Sequence, residues 1–215
     1  MKIAIIGATG FVGSTILNEL GSRNHEITAI ARNPKNDAKA NIKWEKADIN
    51  NTEKLSTIIA GNDVVISAFN AGWTNPNLYT DFIKGSKAIQ EAVKKSGVKR
   101  FITIGGAGSL FVAPNLQAVD TPDFPKEYYA GATAARDYLN IIKEEKDLDW
   151  AFFSPAFEMH QGITTGRTGK YRLGLESPVL DENQRSILSV EDLAVVIADE
   201  AENPNHHQVR FTAAY

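Results

Sequence analysis

Short apolar runs alternate along the chain with amphipathic stretches at helical spacing. Ile3–Ile6 is a continuous apolar run and predicts a strand buried on both faces. Phe11–Leu20 predicts a helix, stopped near Gly21. Glu26–Ala31 predicts a second strand and Ile42–Glu45 a short third. Asn51 and Thr52 can cap a helix through Ile59, with Glu53 in its first turn. Asp63–Ser67 predicts a fourth strand, Leu78–Ser96 a longer helix ended by Gly97, and Phe101–Ile104 a fifth strand. Lys126–Lys146 predicts a helix with Ala134, Tyr138, Ile141 and Ile142 on one face. Trp150–Phe153 predicts a sixth strand, broken by Ser154-Pro155.

Strands alternating with helices of this length imply an α/β fold: a Rossmann-type, doubly wound parallel sheet. Right-handed crossovers then bring the carboxyl ends of the strands and their loops to one edge. After Pro155 the pattern changes to a stretch rich in Gly, Thr and charge, with short strands expected near Lys170–Leu173 and Ser186–Leu188. Ser189 can cap a helix running to about Ala201, with Glu191 and Asp192 at its positive end, and Val209–Thr212 is a last strand. The expectation is one domain over 1–215. Its core is 1–154, and 155–215 is a small C-terminal extension on the substrate side. The segment 105–125 is long and carries Gly105, Gly106, Gly108, Pro114, Pro122 and Pro125. At the carboxyl edge of a sheet such a loop is either functional or a simple cover.

Composition narrows the chemistry. The chain has 215 residues, a formal net charge of −3 and no long like-charge run, so nothing recommends a nucleic-acid or anionic-membrane partner. No apolar stretch approaches the ~18 residues that span a bilayer. There is no cysteine, which removes thiolate catalysis and thiolate metal sites. The apolar run behind Met1-Lys2 is too short for a signal peptide. Together these features lead to the expectation of a cytoplasmic protein. His206-His207 reads as an exposed pair without a carboxylate at metal-ligand spacing, so no metal site is expected.

The first strand runs into Gly7-Ala8-Thr9-Gly10-Phe11-Val12-Gly13. A glycine triplet between a strand and a helix is the context in which this spacing binds dinucleotides. Gly7 permits the turn, Gly10 lets the backbone approach a pyrophosphate, and Gly13 lets the helix pack on the sheet. The helix N-terminus offers N–H groups and a positive dipole to the phosphates, and Thr9, Phe11 and Val12 lie on that path. The second strand ends in Arg32, where NAD-selective versions carry an acid. A guanidinium cannot accept from a ribose hydroxyl but suits a 2′-phosphate, so NADP(H) is expected over NAD(H), with NAD(H) still possible. Such charged hydrogen bonds contribute roughly 1.5–3 kcal/mol. Asp48-Ile49 either borders the adenine or caps the following helix, and Ala68-Phe69 lies beside the expected cofactor path. Thr103, Gly105 and Gly106 at the fifth strand and Pro155 at the sixth should flank the nicotinamide. Thr103 is either a polar anchor there or an ordinary strand residue.

Several further segments form a set with the glycine loop: Gly97-Val98-Lys99-Arg100, Gly105–Leu110, Asp120–Pro125, Ser154-Pro155-Ala156, Thr168–Arg172 and Ser189–Asp192. With them the whole chain resembles the small atypical short-chain dehydrogenase/reductases, the group of NAD(P)H-binding proteins provisionally assigned as NADH-flavin reductases. It is similar, more distantly, to the biliverdin reductase B and NmrA-like groups. Most short-chain dehydrogenases carry Tyr-x-x-x-Lys on the helix after the fifth strand. Here Tyr128 and Tyr129 are followed four residues later by Ala132 and Thr133. Without the lysine, acid–base chemistry on an alcohol or ketone loses its apparatus. Reduction of a flavin survives, because solvent can supply the second proton. The resemblance implies an NADPH-dependent reductase of flavins, quinones or similar flat small-molecule acceptors. The alternative is a non-catalytic NADP(H)-sensing protein of the NmrA-like kind. Tyr129 and His160 are the candidate proton donors, the one otherwise a packing residue and the other a solvent-facing loop residue. The oligomeric state is left open.

Overall fold

A computed structural model describes residues 1–35 and 40–215. The elements in chain order begin β1 (Lys2–Ile6), α1 (Phe11–Ser22), β2 (Glu26–Ala31), β3 (Ile42–Lys46), α2 (Thr52–Ile59), β4 (Val64–Ser67), α3 (Leu78–Ser96) and β5 (Arg100–Ile104). They continue with β6 (Phe111–Ala113), β7 (Leu116–Gln117), α4 (Lys126–Ile142), β8 (Asp149–Ser154), β9 (Arg172–Gly174), α5 (Val190–Glu202) and β10 (Val209–Ala214). Eight strands form one sheet in the order β3-β2-β1-β4-β5-β8-β10-β9, and β6 and β7 make a separate hairpin. Every neighbouring pair in the large sheet is parallel except β10–β9. The Rossmann-type α/β fold expected from the hydrophobic pattern is the one formed.

The apolar runs explain the layering. In β1, Ile3 and Ile5 point to one face, and Ala4 and Ile6 to the other. The first face is covered by Ile16 and Leu20 of α1 with Leu193 and Ile197 of α5. The second is covered by Leu55 of α2, Phe82 and Ile89 of α3 and Tyr138 and Leu139 of α4. A strand covered on both sides has no polar face, which is why it reads as a continuous run. Side chains cap two helices as the sequence indicates. Asn51 accepts from the Lys54 N–H at 3.0 Å and Ser189 from that of Asp192 at 3.0 Å. Gly97 closes α3 in the left-handed region, φ +82°.

Four details sharpen or differ from the sequence-based expectation. Gly21 lies inside the last turn of α1, and the chain turns instead at Asn24, φ 63°. α4 ends at Ile142, before the expected Lys146. There the Glu145 carbonyl accepts from Trp150 Nε1 at 3.2 Å and its carboxylate from the Asp147 N–H at 2.7 Å, turning the chain into β8. Ser186–Leu188 forms no strand, only one bridge between Ile187 and Glu158. The segment 105–125 is built rather than irregular, with 3-10 turns at Ala107–Ser109 and Ala118–Asp120 around the β6–β7 hairpin.

Candidate functional site

β1 pairs with β2 on one side and β4 on the other, so the chain reverses its winding at β1. In open α/β sheets the crevice outside such a switch point is where ligands bind. The glycine loop stands there. Gly7 has φ +82°, and a Cβ on it would lie 2.6 Å from the Ala68 carbonyl oxygen. A Cβ at Gly13 would lie 2.1 Å from the Gly7 carbonyl oxygen. These two glycines are therefore demanded by the protein's own packing. Gly10 is different: a Cβ there meets nothing nearer than the Gly7 oxygen at 3.4 Å, an ordinary contact. It also begins α1 without a side-chain cap, and the first turn carries no acid. The first-turn N–H groups of α1 have no acceptor inside the helix. Thr9, Gly10 and Phe11 are exposed around them and Val12 is half-buried. An open cradle of backbone donors at a positive helix end fits a pyrophosphate.

On the β2 side, Arg32 is exposed immediately past the strand. Asp48 Oδ1 accepts from the backbone and side chain of Asn50 at 2.9 and 3.0 Å. Those bonds hold its pKa below the ordinary carboxylate value, helped by the positive charges of Arg32 and Lys84. Asn51, not Asp48, caps α2, which removes the capping reading of Asp48. Ile49 and Phe69 lie half-buried against Gly85 of α3. A Cβ at Gly85 would meet the Phe69 ring at 2.6 Å and Ile49 Cδ1 at 2.7 Å. Phe69 also stacks on Phe82, centroids 5.9 Å apart, so one face of its ring belongs to the core. Lys84 and Gly85 carry no local motif, and only the packing of α3 brings them to this end.

On the β5 side, Gly105 and Gly106 follow the strand half-buried, and Thr103 is 4% exposed within it. The Thr103 side chain is thus enclosed by the packing around the strand. A Cβ at Gly105 would lie 2.0 Å from the Phe152 ring. Ser109 Oγ donates to the Gly106 carbonyl at 2.9 Å and lies 2.9 Å from Ser154 Oγ. Ser154 and Pro155 are both buried. From beneath, the buried Arg210 donates to the Ser109 carbonyl and to Glu176, and lies over the Phe111 ring. The 105–109 turn is thus tied to the last strand. The 111–115 and 177–184 segments face each other across an open groove of about 670 Å³ with Phe157 on its wall.

Neither candidate proton donor is held by a charged partner among the described residues. Tyr129 is exposed and packs edge-on against Phe124, centroids 6.4 Å apart. His160 is exposed, and its Nδ1 accepts from the Gly162 N–H at 3.1 Å within its own loop. Where a lysine would follow Tyr128, Ala132 is buried under the 105–109 turn, and a Cβ at Gly108 would lie 2.9 Å from the Ala132 methyl.

At the opposite, amino edge of the sheet one expectation is corrected. His206 is not exposed. It is buried, stacked on Phe211 at 4.2 Å, with Nδ1 2.6 Å from Glu200. Burial works against the Glu200 carboxylate, but bonds from His206 and Asn205 hold its pKa below the ordinary value. Arg100 completes this buried ion cluster. Among the described residues no group of three or more His, Cys, Asp or Glu could hold a metal ion, and no helix is long and apolar enough to cross a membrane.

The fold and its glycine-lined cradle define a nicotinamide-nucleotide-binding protein of Rossmann type. The chain belongs to the NAD(P)H-binding family, whose sequence profile matches residues 7–204. The uncharacterized protein YwnB of Bacillus subtilis (strain 168) is 34% identical over 214 residues, 99% of this chain and 97% of that protein. A crystal structure from Bacteroides thetaiotaomicron, of a protein provisionally named an epimerase, is similar at TM-score 0.90 and 44% identity, covering 100% of this chain and 96% of that one. Another, from Streptococcus pneumoniae TIGR4, provisionally named an NADH-flavin reductase, is similar at TM-score 0.87 and 32% identity, covering 100% of this chain and 99% of that one.

Proposed function

We propose that the protein is an NADPH-preferring reductase of flat conjugated acceptors, a flavin or a quinone. The observation that carries this reading is the packing of Ala132 under Gly108. It closes the place from which a lysine would tune Tyr128, and the residue four after Tyr129 is Thr133, so neither tyrosine has a tuning lysine beside the cofactor cradle. Chemistry that needs a tuned protein acid, including that of epimerases, is disfavoured. Reduced nicotinamide supplies a hydride, two electrons and one proton, to the acceptor, and solvent supplies the second proton, leaving the oxidised dinucleotide and a dihydro-acceptor.

Under this reading Gly7, Gly10 and the α1 N-terminus hold the pyrophosphate, and Ile49 and Phe69 floor the adenosine side. Arg32, with Lys84 nearby, takes the 2′-phosphate. Ala68, Gly105, Gly106 and Pro155 border the nicotinamide by backbone. The kinship with the Streptococcus pneumoniae protein supports the acceptor class. A cytosolic setting, where the reduced cofactor is regenerated, goes with it.

The test is oxidation of NADPH by pure protein with riboflavin, FMN, FAD or menadione, followed by loss of reduced-nicotinamide absorbance. Acceptor-dependent turnover, faster with NADPH than NADH, is expected. Tight NADPH binding without turnover on any acceptor would overturn the reading in favour of an NADP(H) sensor.

A further inference from the structure

Trp73 is 60% exposed, an unusual state for the largest apolar side chain. It is nevertheless held in place. Its ring rests on Gly131 of α4, where a Cβ would come within 2.8 Å of it. It also meets Tyr128 edge to face, centroids 5.7 Å apart and planes at 83°. Tyr128 is itself 51% exposed. The loop carrying Trp73 is pinned on both sides. Asn70 accepts from the Gly72 N–H at 2.7 Å. Asn75 donates to the Ala71 carbonyl at 3.2 Å and to Asp81 at 2.8 Å, and accepts from the Asn77 N–H at 2.9 Å. An indole so exposed on a loop so constrained is a preorganised surface.

Topology says what it faces. The loop follows β4 directly, and α4 follows β5, so Trp73 and Tyr128 stand at the carboxyl edge. Arg32 marks the other end of the crevice, past β2 on the far side of β1. The aromatic pair is therefore on the side where the reaction end lies, not the adenosine end. We infer that Trp73, seated on Gly131 and braced by Tyr128, stacks the conjugated ring of the acceptor and selects for flat substrates. The inference rests on the reductase reading above and names its acceptor-binding residues. Stacking on an exposed aromatic is sequence-tolerant for planar rings because every such ring has a π-face.

Binding of riboflavin and of menadione to the NADP⁺-saturated protein tests this without turnover. Riboflavin binding is read by quenching of its own fluorescence, and menadione by competition. Trp73→Leu should weaken both about 5- to 150-fold, the range of one lost stacking contact. Its NADP⁺ affinity and melting temperature should stay at wild-type values, and Trp73→Phe should recover much of the loss. Gly131→Val, which displaces the indole from its seat, should weaken riboflavin in the same direction. If Trp73→Leu binds both rings as wild type does, the inference falls and the reductase reading stands. If Trp73→Leu loses NADP⁺ in equal measure, Trp73 serves the cofactor and the inference falls. If wild-type protein binds neither ring, the reductase reading falls and takes the inference with it.

Discussion

Ala132 and Gly108 touch across the seam between α4 and the 105–109 turn, with room for a methyl on one and a hydrogen on the other. Ala132→Lys would force a long charged chain into that seam. We expect a loss of about 2–4 kcal/mol in unfolding free energy, from overpacking and charge burial, and no alcohol dehydrogenase activity. Urea denaturation and an assay with simple secondary alcohols check both.

The three loop glycines should separate by experiment. Gly13→Ala places a methyl 2.1 Å from the Gly7 oxygen and should destabilise the fold by about 3 kcal/mol. Gly10→Ala has space in the protein and should cost at most about 1 kcal/mol, while weakening NADPH binding by more than about tenfold. Calorimetric titration paired with melting curves would distinguish them. Wild-type affinity in Gly10→Ala would remove the pyrophosphate from this loop.

Arg32→Ala should reduce the preference for NADPH over NADH about 10- to 150-fold, the worth of a charged hydrogen bond of ~1.5–3 kcal/mol. Dissociation constants for both cofactors measure it, and equal losses would reject Arg32 as the 2′-phosphate ligand. Asp48→Asn should leave that ratio unchanged.

Glu200 is buried with Arg100 and His206. Its pKa is lower folded than in the unfolded chain, near 4.5, so the unfolded state binds the extra proton first. Its contribution is fully present above 4.5 and lost as pH falls from 4.5 through the lower folded value. Glu200→Gln leaves Arg100 without its buried partner and should cost about 3–5 kcal/mol at neutral pH. The acid limb of its stability curve should also be flatter. Denaturation midpoints across acidic pH measure both effects, and parallel curves would sink the assignment.

The fold was legible because its signals are local. Ile3–Ile6 is apolar at every position since both faces of β1 are covered, and Gly97 stops α3 by its own φ. The cradle at Gly7–Gly13 was legible for the same reason: strand, turn and helix follow one another within a few residues. Arg32 was readable as an exposed cation just past β2 because the strand's own apolar pattern places it there. Misreadings arose where a distant partner decides. His206 looked exposed yet is buried by Glu200 and Phe211.

By itself, then, the sequence determined an α/β domain with a dinucleotide cradle, because strand burial, glycine conformation and helix dipoles act over a turn or two. Tertiary structure alone decided the contacts beyond that cradle. Gly131 reaches Trp73 and Arg210 reaches Ser109, while Gly85 seats Ile49 and Phe69. These contacts depend on how helices and turns close over the sheet edge, and a residue's neighbours in sequence exert no force that would reveal them.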